Sequence, residues 1–110
     1  MIEAPDFLPL GSVVRLQGSE DKRFVVVGRA LAINNPESNG AKEYFDYAVS
    51  LYPEGIVGDA VIYTNHDCIT EVVFRGYSDG EDERLVEMIR EVLLNVSDIP
   101  KANPVAQDEW

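Results

Sequence analysis

Between Ser12 and Gly76 the apolar residues recur every second position or in short unbroken runs; after Ser78 they recur at the spacing of a helix. Ser12-Val-Val-Arg-Leu-Gln17 predicts a short first strand. Pro9 lacks a backbone donor and resists a central ladder position, so pairing is expected to begin after it. Gly18 to Lys22 reads as a polar hairpin loop. Arg23 to Ile33 is the most β-prone run, because its β-branched side chains resist a helix and fit a pleated surface. The unbroken apolar stretch Phe24 to Val27 predicts cover on both faces. Gly28 in mid-run predicts a bulge or the close approach of another backbone.

Glu43 to Tyr52 alternates most clearly. Phe45, Tyr47, Val49 and Leu51 are assigned to the core face, and Tyr44, Asp46, Ala48, Ser50 and Tyr52 to the other. Pro53-Glu-Gly55 closes this strand with a turn. Asn34 to Lys42 is a loop by composition and the segment expected to be most mobile. Pro53 to Asp59 is a second loop, and Ala60 to Thr64 a short strand. Asn65-His-Asp67 reads as a turn or single helical turn, with Asn65 or Asp67 as its cap. Ile69 to Gly76 is the last strand, with Val72 and Phe74 expected on its buried face and Glu71 and Arg75 in solvent.

The segment from Ser78 predicts the one helix. Ser78-Asp-Gly-Glu-Asp-Glu83 supplies a cap and an acidic first turn, which the positive end of the helix dipole favours. Leu85, Met88, Ile89, Val92, Leu93 and Val96 form the expected core stripe, with Leu94 off it. Glu87 and Glu91 face outward, and Glu87 can pair with Arg90. Hairpin-connected strands followed by one helix define an α+β class. The expected architecture is a curled antiparallel sheet of four to five strands, with barrel-like closure as one way of managing its edges, and one C-terminal amphipathic helix. Residues 1–7 are expected as a loose start, 8–96 as a single domain, and 97–110 as a flexible tail interrupted by Pro100 and Pro104. Trp110 ends that tail, either free or docked on the domain or a partner.

Composition narrows the function classes. A chain of 110 residues holds one domain with a modest core. Its net charge is -11, from 20 acidic and 9 basic side chains. Such a chain repels phosphate backbones and anionic lipids, which argues against nucleic-acid and membrane partners and favours solubility or a basic protein partner. The single cysteine, Cys68, suits a reducing compartment; no leader or spanning segment is visible, so a cytoplasmic location is expected.

No catalytic, cofactor or metal site emerges. Gly11 precedes a strand rather than a helix, so no phosphate cradle has its context. His66 and Cys68 are one short pair, too few for zinc, and no oxyanion donor accompanies them. Asp79, Glu81, Asp82 and Glu83 lack the alternating ligands of a calcium loop and are read as helix capping. Asp46, between Tyr44 and Tyr52 on one strand face, is the carboxylate best placed for a specific role; a tyrosine hydroxyl, Arg29 and Arg75 are its available partners.

Four blocks carry a family resemblance. They are Leu8-Pro-Leu-Gly-Ser-Val-Val14, Val25-Val-Val-Gly-Arg29, Phe45-Asp-Tyr47 with Leu51-Tyr-Pro-Glu-Gly55, and His66-Asp67 leading to Glu71-Val-Val-Phe-Arg-Gly-Tyr77. Over residues 8–90 the chain resembles a domain-of-unknown-function family of small acidic proteins encoded beside type VII (ESX-type) secretion and LXG toxin genes in Gram-positive bacteria. The resemblance implies a non-enzymatic cytoplasmic accessory protein, a chaperone or targeting adaptor that binds an LXG-type toxin or its small helical companions. Alternatives are an immunity protein neutralising a toxin effector domain, and a structural or regulatory domain with another protein partner. Neither the residues nor the resemblance indicates an oligomeric state. Tyr44, Asp46, Tyr52 and Tyr77 are the candidate partner-binding residues.

Overall fold

A computed structural model describes residues 2–35, 41–96 and 98–102. The loop expected over Asn34–Lys42 is shorter than that: Asn34 and Asn35 pair with Lys42 and Ala41 as strand, because the β-hairpin ladder extends into the polar segment, and the expectations for 36–40 and for Trp110 lie outside the described residues. The elements are β1 (Val13–Leu16), β2 (Ser19–Asn35), β3 (Ala41–Tyr52), β4 (Ile62–Thr64), β5 (Ile69–Phe74) and α1 (Gly80–Leu94). The strands form one five-stranded antiparallel sheet in the order β4-β3-β2-β1-β5.

The sheet is not closed into a barrel: β4 and β5 are its edges. It must nevertheless curl. Five flat strands would set the edges roughly 19 Å apart at about 4.8 Å per strand. Only residues 65–68 join β4 to β5, and three of them form a 3₁₀ turn, His66–Cys68. That link reaches at most about 17 Å fully extended, and less when coiled. Bulges help the curl. The β2–β3 register slips between Val26 and Gly28, where a Cβ on Gly28 would sit 3.3 Å from that of Ala48. Ala30 follows at φ 54°, a left-handed conformation uncommon for a residue with a side chain.

The core gathers Val14, Leu16, Phe24, Val26, Tyr47, Val49 and Ile62 from the sheet, with Leu93 from α1. Residues 2–7 and 98–102 contribute too, against expectation. Ile2 and Phe7 are buried, and Ile2 N–H donates to the Leu93 carbonyl at 3.0 Å, a second bond on a carbonyl that also accepts from Val96 N–H at 3.3 Å. After α1 the chain returns beside β3: Tyr44 N–H donates to Pro100 O and Ala102 N–H to Tyr44 O, each at 2.9 Å. Residues 98–102 are therefore an integral strap rather than a flexible tail.

β3 departs from the expected division of faces. Tyr47 and Val49 are buried, and Phe45 and Leu51 half-buried, but Tyr44, Asp46, Ala48 and Ser50 are buried as well. Tyr44 joins the core cluster with Ile2, and half-buried Ile99 packs against that cluster. The turn after β3 contains a cis Tyr52–Pro53 peptide, and Gly55 takes φ 77°.

α1 is capped by Asp79, whose side chain accepts from Asp82 N–H at 3.0 Å. Its contact line runs through Val86, Ile89 and Leu93 and continues to Val96. The expected stripe is only half buried: Leu85, Met88 and Val92 face water. The apolar arc of this helix is wider than the surface beneath it. Arg90 does not pair with Glu87; it reaches Asp6 at 3.7 Å and the Ala4 carbonyl at 3.4 Å. Val72 and Phe74 on β5, expected inside, are also exposed. β5 is an edge strand with two register slips against β1, and from Thr70 to Phe74 it is exposed on both faces.

Candidate functional site

The blocks singled out in the sequence meet in space as polar clasps. Tyr47, fully buried on β3, accepts from Leu8 N–H at 2.9 Å and lies 2.8 Å from His66 Nδ1. Phe7 packs edge-on against its ring. One phenol thus ties the N-terminal segment, the central sheet and the 3₁₀ turn together. Burial pushes the Tyr47 hydroxyl up to about 12, opposed by the Leu8 N–H, so the group is neutral at physiological pH.

A second clasp surrounds Asp46. Its Oδ2 accepts from His66 N–H at 2.9 Å and pairs with Lys101 Nζ at 3.3 Å. Its own N–H donates to Asn65 Oδ1 at 2.8 Å, and Asn65 Nδ2 donates to the Ala102 carbonyl at 2.6 Å. The buried amide of Asn65 fills the gap where β4 has ended and the strap has not yet begun, standing in for a backbone peptide. It flanks the 3₁₀ turn as its N-cap residue, but its side chain makes no cap hydrogen bond. Asp46 Oδ1 and Tyr44 Oη make no hydrogen bond of regular geometry, and the Tyr44 hydroxyl interacts with the Asp46 carboxylate. Burial, then the charge of Asp46, raises the Tyr44 hydroxyl well beyond the usual phenol range.

Two further locks complete the frame. Ser12 Oγ donates to the Pro9 carbonyl at 2.7 Å and accepts from Gly76 N–H at 2.9 Å, joining the first block to the last. Arg29, with a side chain only 4 % exposed, donates to Asp82 Oδ1 at 2.7 Å. The guanidinium holds the Asp82 carboxyl below the usual carboxylate range, with Ser78 Oγ donating to the other oxygen. This pair seats the first turn of α1 on β2.

Of the four candidate partner-binding residues, Tyr44 and Asp46 are buried inside the fold and are not on an accessible face. Asp46 pairs with Lys101 rather than Arg29 or Arg75, because the strap brings the lysine to that side of β3. Tyr52 is exposed, with the Arg23 guanidinium 4.9 Å over its ring, and Tyr77 is exposed with its hydroxyl on Asp79. Asn65 carried a sequence signal only as a cap. Lys101 carried none, since its partner is 55 positions away along the chain.

Among the described residues no group of three or more His, Cys, Asp or Glu side chains could hold a metal. No helix among them is long and apolar enough to cross a membrane. Among the described residues three hollows are open to solvent, the smallest, of about 190 Å³, beside His66 and Lys101. One, of about 520 Å³, lies between the N-terminal segment and α1 and is lined by Asp6, Phe7, Arg75, Asp82 and Arg90 among others. Another, of about 380 Å³, is apolar and lies on the sheet, lined by Val13, Val25, Tyr52, Val73 and Phe74 with Gly11 and Arg23.

The molecule is an open-sheet α+β domain whose chemistry-bearing side chains hold its own segments together. Residues 7–85 match the family described as Domain of unknown function (DUF4176), and the chain belongs to that family. No curated protein and no solved structure matches it.

Proposed function

We propose that this protein is a non-enzymatic accessory factor of type VII secretion that binds an LXG-type toxin, or a small helical companion of the toxin, in the cytoplasm before export. The sequence blocks Tyr52-Pro-Glu-Gly55 and Phe74-Arg-Gly-Tyr77 support the setting through the family they resemble. The observation that carries the binding role is where the polar and apolar side chains went. Asp46, Tyr47, Asn65 and Ser12 are consumed in internal clasps. Large apolar side chains are left in water in runs: Val72, Val73 and Phe74 on β5, and Leu85, Met88 and Val92 on α1. Contiguous apolar surface on an acidic domain favours a protein partner.

Co-expression with an LXG-type toxin and its small helical companions tests this reading. The toxin's N-terminal LXG region, or its helical companion, is expected to co-purify with the folded protein. Absence of both from the complex would refute it. Protection of cells by binding to the toxin's C-terminal effector domain would instead establish the immunity role.

A further inference from the structure

We propose that the Tyr47–His66 clasp is a proton-sensitive latch: the neutral His66 ring holds the N-terminal segment on the sheet, and protonation of its Nδ1 releases Leu8 and the residues before it. The argument is a count of protons. Leu8 N–H donates to Tyr47 Oη at 2.9 Å, so on that side the oxygen is an acceptor. An amide N–H has no lone pair to offer in return. The other hydrogen-bond neighbour of the hydroxyl is His66 Nδ1, at 2.8 Å. The hydroxyl proton therefore points at Nδ1, which leaves that nitrogen bare and puts the proton of the neutral ring on Nε2. Burial keeps the phenol protonated at neutral and acidic pH, so its proton stays in place. A second proton on the imidazole turns Nδ1 into a donor. Oη then faces two donors, and its own proton is stranded in a fully buried site.

One of the three partners has to give, and the structure ranks how firmly each is tied. Tyr47 lies within β3, paired with Arg29 on one side and Thr64 on the other. The turn is held around the ring: His66 N–H donates to Asp46 Oδ2, Cys68 N–H to the Asn65 carbonyl, and Asn65 Nδ2 to the Ala102 carbonyl. Residues 3–8 belong to no strand or helix. Besides the Leu8 bond they are held by the Phe7 ring against Tyr47 and by Arg90, 3.4 Å from the Ala4 carbonyl and 3.7 Å from an exposed Asp6. The segment is the part that lets go. The charged groups about the ring are Glu3 on the segment, Asp46 on β3, Asp67 on the turn and Lys101 on the strap. Asp46 and Lys101 pair with each other, and Glu3 and Asp67 are exposed, where water screens their attraction for an imidazolium. Arg29 and Arg75 act on the phenol from β2 and from the segment after β5, and their charge opposes a further cation beside it. The hollow of about 190 Å³, lined by Glu3, Ala4, Pro5, His66, Asp67 and Lys101, is open to solvent and gives the proton a way in.

Nitrogen-15 spectra and amide exchange of the full chain test the latch. At about pH 7.5 the His66 ring is expected neutral, with Nδ1 bare and Nε2 protonated. As pH falls toward about 5, protection of the Leu8 amide, corrected for intrinsic exchange, is expected to drop about tenfold or more, in step with the titration of the ring. The amides of residues 3–8 should shift with it while the β2–β3 ladder keeps its protection. His66→Asn places a side-chain oxygen near the position of Nδ1 with nothing to titrate, and should keep Leu8 protected throughout. Tyr47→Phe removes the acceptor, and should leave Leu8 unprotected throughout. A proton on Nδ1 at neutral pH, a ring that stays neutral over the whole range, or a ring that takes its proton with Leu8 still protected would each overturn the inference. So would loss of the β2–β3 ladder together with Leu8, or a His66→Asn protein that loses protection as the parent does. All but the last of these are read on the parent alone, so they decide the matter even where a variant fails to fold.

Discussion

Gly76→Ala should destabilise the protein by about 2–3 kcal/mol, although glycine-to-alanine changes at ordinary backbone angles usually stabilise by about 0.4–1 kcal/mol through the unfolded chain. Gly76 is not among the residues at positive φ, so conformational freedom does not explain it. Space does. A Cβ there would overlap the Leu10 carbonyl oxygen and lie 2.9 Å from Ser12 N and 3.1 Å from Gly11 C. All three neighbours are backbone atoms, and Gly76 N–H is itself held by the buried Ser12 Oγ. Relief therefore means pulling the two segments apart. Overpacking costs about 1–3 kcal/mol and a lost hydrogen bond to a buried hydroxyl about 1 kcal/mol, which together outweigh the entropic gain. Urea unfolding measures the difference directly. Thermal unfolding should fall by roughly 8–24 °C, given about 4–8 °C per kcal/mol in a domain of this size. Gly11→Ala is the control: at φ 85° with nothing within 4 Å of its Cβ, it should cost only the strain of a left-handed alanine, about 1 kcal/mol. A Gly76→Ala protein as stable as the parent, or less affected than Gly11→Ala, would refute the reasoning.

Asp82→Asn leaves the Arg29 guanidinium buried without its carboxylate and should cost about 2–3 kcal/mol by urea unfolding. Because the folded Asp82 carboxyl sits below its unfolded value, its contribution is present above about pH 4 and lost as pH falls through the folded value; the Asn variant should show a shallower acid decline, and an identical one would contradict the pairing. Tyr47→Phe leaves Leu8 N–H buried without an acceptor and should cost about 2 kcal/mol. The raised Tyr47 hydroxyl contributes fully below about pH 10 and stability then falls as pH rises toward 12, so the Phe variant should lose part of that alkaline decline in a pH series of unfolding midpoints. Ending the chain after Val96 removes Lys101 and the carbonyls of Pro100 and Ala102, and should lower stability by about 3 kcal/mol; an unchanged urea midpoint would show that the strap adds nothing.

Legibility in the sequence tracked the range of the interaction. The bulge at Gly28, the turn after Tyr52, the helical turn at His66 and the Asp79 cap all arise within a few residues, and each was readable as such. The exposure of β5 was not, because Val72 and Phe74 have the alternation of a buried strand and nothing local says that the strand ends the sheet. α1 failed in the same way: periodicity shows an apolar arc, but not how much of it another surface covers.

Alternation and helical spacing by themselves determined an α+β domain with a curled antiparallel sheet and a capped helix after it, because dihedral preference and side-chain periodicity are local. Net charge disfavoured nucleic acid and lipid. Only the tertiary structure decided that the sheet stays open, that residues 98–102 belong to the fold, and that Asp46 is spent on Lys101 and His66 instead of facing a partner. Those outcomes depend on which distant segment arrives at an unsatisfied backbone or carboxylate. A buried polar group accepts whichever donor the fold brings within about 3 Å, and no local pattern in the chain encodes that arrival.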